Sequence, residues 1–336
     1  MHDLMGHVRR AGIRLMPLLA GCALLAGLLP ADLVRADDVG LTCAASGHVE
    51  RTRFTVEVEG NGPDVVLIPG LSTPGAVWDA TVRQLVPDHR VHRIDLRGFA
   101  DGNPGPNASG PVLEPFVDEL AVYLKECGLA QPALIGHSMG GLAALMVGVR
   151  TPELPGRIMV VDAAPFIGPL FNPPAATVEQ IEPMAAQLRA GLEAMAKLPL
   201  PQAMQGPVDD PGEKSQAGTL SNTPEGRTLI AGWMRHVDRR VVGRVLYDVM
   251  RTDLRPELAR IRVPVTLLYA QDDRQRSIEK ARADFEPQYA GVSRFHAVQV
   301  PDSYHFLMLD QPAVFAREVA AFLRSSGTEP PTRPKE

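Results

Sequence analysis

In the 336-residue chain one serine stands in a pattern that nucleophilic chemistry needs. Ser138 lies in Gly136-His137-Ser138-Met139-Gly140, the single Gly-x-Ser-x-Gly of the sequence. A strand-like Ala133-Leu-Ile-Gly136 precedes it, and a helix is expected from about Met139. A strand–turn–helix of this kind is tight, so small residues must flank the serine, and the strain lifts its hydroxyl from the sheet edge. Gly136, Gly140 and Gly141 meet that demand. The following helix N-terminus favours negative charge developing beside it. The five-residue pattern is weak alone; the strand before and the helix after give it weight.

A serine hydroxyl is a poor nucleophile until a base takes its proton. Of nine histidines, His305 alone falls in a loop between the last strand-like segment and the last helix. The chain order serine, acid, histidine puts the base there. The base needs a carboxylate to fix its tautomer and stabilise the imidazolium. After the strand-like 263–269 comes Ala270-Gln-Asp272-Asp273, where Asp273 is the preferred acid and Asp272 the second. Asp162, at the end of the preceding strand, is the third candidate. Two backbone N–H groups should hold a developing oxyanion: that of Met139, and that of Leu71 in Pro69-Gly70-Leu71-Ser72. The second rests on position alone.

Such residues must be carried to one edge by a common scaffold. Arg53–Val58 alternates in polarity like a half-buried strand, whereas Asp64–Pro69 is an apolar run suited to a strand buried on both faces. Further strands are expected at 91–96, 133–136, 158–161, 263–269 and 294–300, with helices at 113–127, 142–149, 277–286 and 311–324. This alternation is the mark of a parallel sheet with crossover helices.

The rhythm breaks between about 166 and 255. Ten of the 31 prolines lie between Pro165 and Pro224, and no convincing strand occurs there. Thr177-x-x-Gln180 reads as a capping box opening a helix with Ile181, Met184, Ala185 and Leu188 on one face. Further helices should start at Thr223-Pro224 and Asp238, with a Pro/Gly-rich loop at 199–222. Ligands bind beyond the carboxyl ends of parallel strands, so an insertion leaving a strand end tends to hang over the site. Phe166, Phe171, Met184 and Trp233 would then offer an apolar substrate pocket, unless they serve ordinary packing.

Residues 1–36 read as an export signal: Arg9, Arg10 and Arg14, the apolar Leu15–Leu29, then Val34-Arg35-Ala36 as a cleavage site. Leu19-Ala20-Gly21-Cys22 also resembles a lipobox, which would lipidate Cys22 and tether the chain to a membrane. An uncleaved anchor is a third outcome. The expected location is periplasmic or secreted. In an oxidising compartment Cys43 and Cys127 could pair. Three cysteines exclude a disulfide framework and four-cysteine zinc sites. Net charge is −5 with no basic stripe, so no nucleic-acid partner is expected.

Taken together, Pro69-Gly70-Leu71, Trp78, Asp95-Leu-Arg-Gly98, Gly136-His-Ser-Met-Gly-Gly141, Asp273 and His305-Phe-Leu-Met-Leu-Asp-Gln-Pro312 resemble the α/β-hydrolase fold superfamily, cap-bearing serine type, over about residues 53–325. The resemblance implies a mostly parallel sheet flanked by helices with an inserted helical cap. The expected organisation is a signal peptide at 1–36, a hydrolase core at 37–165 and 256–325, the cap at 166–255, and a disordered tail at 326–336. It implies acyl transfer through Ser138, His305 and Asp273 on a small or medium ester, with no cofactor and no metal. Amide, lactone or C–C bond cleavage, perhydrolysis, and a non-catalytic binding protein of this fold are the alternatives. A serine at the elbow argues against epoxide hydrolases and haloalkane dehalogenases, which use aspartate. The chain departs from the pattern at Pro69-Gly70, where His-Gly is frequent, and at Gly98-Phe-Ala100, where Gly-x-Gly is usual.

Overall fold

The computed structural model describes residues 46–99, 103–171, 174–199 and 207–325. The expected signal peptide, Cys22, Cys43 and the tail at 326–336 lie outside them.

Eight strands form one sheet in the order β1-β2-β4-β3-β5-β6-β7-β8. They are β1 Gly47–Glu50, β2 Phe54–Glu59, β3 Asp64–Ile68, β4 Arg90–Leu96, β5 Ala133–His137, β6 Arg157–Val161, β7 Val265–Gln271 and β8 Phe295–Pro301. β1 and β2 pair antiparallel, as do β2 and β4; from β4 to β8 every pairing is parallel. Burial follows the two patterns that the residues announce. β2 alternates buried and half-buried residues, while all five residues of β5 are buried.

The helices are α1 Asp79–Leu85, α2 Leu113–Glu126, α3 Met139–Arg150, α4 Val178–Met195, α5 Pro224–Arg235, α6 Arg239–Arg251, α7 Ile278–Phe285, α8 Leu307–Asp310 and α9 Pro312–Arg324. One face of the sheet packs Phe116, Leu120 and Tyr123 of α2 and the apolar length of α3. The other packs α1 and α9, where Trp78 stacks on Phe315 at 6.0 Å. Leu67 and Ile135 in the central strands are fully buried, and truncating either to Ala should cost about 2–5 kcal/mol. β1 and α1 have no counterpart among the expected elements. β1 buries only Val49, and α1 is seven residues long, too short for a periodic signal.

Between β6 and β7 the described residues form helices and turns with no strand. The capping box Thr177/Gln180 closes α4, Thr223 caps α5 above Pro224, and Asp238 caps α6. Phe166, Ile181, Ala185 and Met250 form a small core of this insertion's own. Its two ends meet, since Leu254 N–H donates to the Pro165 carbonyl at 3.1 Å. On α6, Asp248 accepts from the N–H groups of Val112 and Leu113 (2.7 and 3.0 Å), capping α2 from the insertion. Segment 219–223 is stitched to the loop after β8. Phe306 N–H donates to the Leu220 carbonyl at 3.0 Å, the Ser221 hydroxyl to Asp310 at 2.5 Å, and the Asn222 amide to the Asp302 carbonyl at 2.7 Å.

Candidate active site

At the carboxyl end of β5, Ser138 adopts φ 53° and ψ −119°, a left-handed backbone that a non-glycine residue holds at a cost of order 1–3 kcal/mol. Its N–H donates to the Val161 carbonyl of β6 at 2.9 Å, and its carbonyl accepts from Gly141 and Leu142 in the first turn of α3. The glycines are required by contact. A Cβ on Gly136 would lie 2.1 Å from the Gly140 carbonyl oxygen, and one on Gly140 would lie 2.3 Å from that of Ile68. The loop after β3 reaches the same place, where a Cβ on Gly70 would sit 3.2 Å from the Ser138 Cβ. In that loop Thr73 donates twice, its N–H to the Gly70 carbonyl and its hydroxyl to the Leu71 carbonyl. The Leu71 N–H has no protein partner among the described residues. Met139 begins α3 and lines the cavity beside Ser138.

His305 follows β8. Its Nδ1–H donates to Asp162 Oδ2 at 2.6 Å, which leaves Nε2 as the nitrogen free to accept a proton. Asp162 comes directly after β6 with φ 48°. Its other oxygen accepts the Ala270 N–H of β7 at 2.8 Å, and its own N–H donates to the Leu268 carbonyl at 2.7 Å. The carboxylate is thus locked between two strands and aimed at one histidine. Next to it, Tyr289 is fully buried and donates to the Ala163 carbonyl at 2.8 Å; burial, then the Asp162 charge, pushes its phenol well above the usual range.

The expectation that Asp273 serves His305 is corrected by this geometry. Asp273 is exposed and accepts from the Gln271 amide at 2.7 Å. Asp272, the second candidate, is buried but committed to Arg274, which reaches both of its oxygens at 2.9 and 2.6 Å. That pairing holds the Asp272 carboxyl down at about 2. The cause is the turn after β7. Gln275 and Arg276 N–H groups both donate back to the Asp272 carbonyl, so the chain curls on itself and brings Arg274 onto the Asp272 carboxylate.

A cavity of about 290 Å³ opens on Ser138, Asp162 and His305. Its apolar wall comes from Met139, Leu142, Ala163, Ala164, Ile167, Leu170, Phe171, Leu220 and Val249, and its polar wall from Asp272, Gln275, Arg276, Ser303 and Tyr304. Of the aromatic and methionine residues expected there, only Phe171 lines it. Phe166 is fully buried beneath the Arg255 guanidinium at 4.6 Å, Met184 packs against the same small core, and Trp233 sits behind Phe306 at 6.1 Å. Cys127 is disulfide-bonded, and the chain's other two cysteines lie outside the described residues. Among the described residues no group of three or more His, Cys, Asp or Glu could hold a metal ion.

A family model described as "Alpha/beta hydrolase family" matches residues 65–318. The chain belongs to this family. Over 272 residues this hydrolase is 25% identical to the pimeloyl-[acyl-carrier protein] methyl ester esterase of Vibrio vulnificus, spanning 79% of its own length and 96% of that protein. Among solved structures, a thermophilic esterase from Thermogutta terrifontis matches with a TM-score of 0.66 at 22% identity, covering 84% of this chain and 100% of that one. The enol-lactonase of Burkholderia xenovorans LB400 matches at 0.60 and 22%, covering 81% and 96%. At such identities the solved structures speak for the fold: a hydrolase sheet with its loops gathered at the carboxyl edge.

Proposed function

We propose that this hydrolase cleaves carboxylic esters by acyl transfer, with Ser138 as nucleophile, His305 as base and Asp162 as the acid that orients it. The observation carrying the reading is the 2.6 Å Asp162–His305 bond at the mouth of a cavity that also bears Ser138 in a strained elbow. In the proposed cycle His305 Nε2 takes the Ser138 proton as Oγ adds to the ester carbonyl carbon. The N–H groups of Met139 and Leu71 receive the oxyanion. Collapse expels the alcohol, which takes its proton from His305. Water, deprotonated by the same nitrogen, then releases the acid. Asp162 stays ionised throughout, holding Nδ1–H.

A cavity of about 290 Å³ lies just under the roughly 300–1,000 Å³ usual for ligand pockets, which favours a small or medium acyl group against the apolar wall. The esterase activity named for the Vibrio vulnificus relative agrees with the class of bond. The helical insertion, as a cap, sets the choice of acyl chain through Leu170, Phe171 and Val249. Export through cleavage near Ala36 to the periplasm or beyond is part of the proposal, supported by the disulfide at Cys127, since such bonds persist in oxidising compartments. N-terminal sequencing of the mature protein checks it. A start near Asp37 supports cleavage, and a diacylglyceryl label on Cys22 would replace it with lipoprotein processing.

The deciding experiment is labelling by a fluorophosphonate together with turnover of p-nitrophenyl esters of graded chain length. Ser138→Ala and His305→Ala should each lower turnover by about 10⁴-fold or more in folded protein. Full activity in folded Ser138→Ala would refute the mechanism, and an unlabelled, inactive wild type would favour a binding protein.

A further inference from the structure

His137 is the last residue of β5, directly before the nucleophile, and the mechanism above leaves it without a part. It is fully buried. Its Nε2 stands 2.9 Å from the backbone carbonyl oxygen of His305, and because a carbonyl only accepts, Nε2 carries the proton. Nδ1 is therefore the bare nitrogen, and it has no hydrogen-bond partner. The ring meets that of His305 with centroids 4.6 Å apart and packs on Phe306 at the same distance. On its far side a Cβ on Gly70 would come within 2.7 Å of Nδ1. One side chain thus touches the elbow, the histidine loop and the loop that bears Leu71.

Packing alone does not account for it. A leucine or phenylalanine would fill the space without leaving an orphaned nitrogen, and an unsatisfied buried polar atom lowers stability. What the imidazole supplies and a hydrocarbon does not is the N–H to the His305 carbonyl. Its charge state matters as well. Burial, reinforced by the neighbouring His305, holds its protonation well below the usual range, so the ring is neutral. The other titratable groups about the pair are Asp162, bonded to His305, and Asp272, Arg276 and Tyr304 across the cavity.

We infer that His137 is a positioning residue for His305: its Nε2–H pins the backbone of the base to the nucleophile elbow, and its neutral ring lets His305 take a proton with no like charge beside it. The inference rests on the Ser138–His305 reading. It is tested with His137→Phe, which keeps a ring and loses the N–H, and His137→Gln, whose amide can restore a donor near Nε2. Loss of the anchor should lower kcat for p-nitrophenyl acetate by about 10- to 100-fold in His137→Phe, with KM within about twofold, since small misplacements of a base act on the chemical step. His137→Phe should melt close to wild type, because relief of the orphaned nitrogen offsets the lost bond to the His305 carbonyl. His137→Gln should recover most of the lost kcat. In the full chain, ¹⁵N NMR should show His137 protonated at Nε2 and unchanged as the pH crosses 6.5, the ordinary imidazole value. Unchanged kcat in His137→Phe, equal losses in both variants, or a titrating His137 would overturn the inference. An active wild type with any of those results sinks the role of His137 alone, whereas a wild type that hydrolyses no ester sinks the reading beneath it.

Discussion

Strands β6 and β7 are neighbours, run parallel, and each ends in an aspartate-bearing loop on the same cavity. Asp162 after β6 gives one oxygen to a backbone N–H of β7 and the other to His305. Asp272 after β7 gives both oxygens to Arg274 and holds Asn222 more loosely at 3.4 Å. Two carboxylates of the same kind at equivalent strand ends therefore have different work. Which one can orient a base is decided by what already occupies its oxygens.

The sharpest way to break this comparison is to neutralise each carboxylate in turn. Asp162→Asn should lower ester turnover by about 10⁴-fold through the wrong histidine tautomer, while Asp272→Asn should cost less than about tenfold. The reverse order, measured as kcat/KM on one ester, would return the acid to β7. A smaller effect comes from Arg274→Gln, which strips Asp272 of its partner. Asp272 is depressed from an ordinary value of 3.8 to about 2, chiefly by the Arg274 hydrogen bonds. A depressed carboxyl stabilises the fold above its unfolded value, and that stability is lost as pH falls through the folded one. The variant should lose stability at neutral pH and show a flatter decline between pH 3.8 and about 2, read by denaturant titration at each pH. Substitution in the cavity wall comes next. Phe171→Ala should change the ranking of acyl-chain lengths, and Trp233→Ala, which lies behind Phe306, should leave it in place. The smallest effect belongs to Asp273→Asn. Its side chain is exposed, so activity and stability should stay within about 0.5 kcal/mol of wild type.

The proposed nucleophile and base, Ser138 and His305, were legible in the sequence because their constraints are local: a glycine-flanked turn between a strand and a helix, and a loop before the last helix. The acid was not, because two adjacent strands end at the same edge and chain order alone ranks neither. One signal was available. Asp272 is followed two residues later by Arg274, and the same Asp-x-Arg spacing at Asp238–Arg240 and Asp253–Arg255 makes the same closed pair, with the arginine's backbone N–H and guanidinium on one carboxylate, whereas at Asp88–Arg90 and Asp95–Arg97 the arginine reaches Asp64 and Glu50. Asp162 has no such arginine after it. The helices of the insertion were legible through their caps, Thr177, Thr223 and Asp238, which satisfy orphan N–H groups by residue type. The faces those helices present were not. A hydrophobic stripe says that a side is covered, and Met184 packs half-buried against the insertion's own core, in which Phe166 is buried, instead of lining the cavity.

The hydrogen bond from Leu254 to Pro165 joins the two ends of the insertion, so everything between them hangs from a closed neck, and Ser138, Asp162 and His305 all lie outside it. In evolutionary terms the neck is a splice site. A foreign segment joined there would meet little added cost of loop closure, which grows only slowly with length. The lock, however, is elsewhere. Asp310, five residues past His305, is buried, and its carboxylate is satisfied by Tyr304 from its own loop and by Ser221 and Asn222 from the insertion. A transplanted segment lacking those two donors would leave a buried carboxylate stranded in the loop of His305. The cassette can therefore be traded only together with its key, and lineages that exchanged it would be expected to change position 310 in the same step.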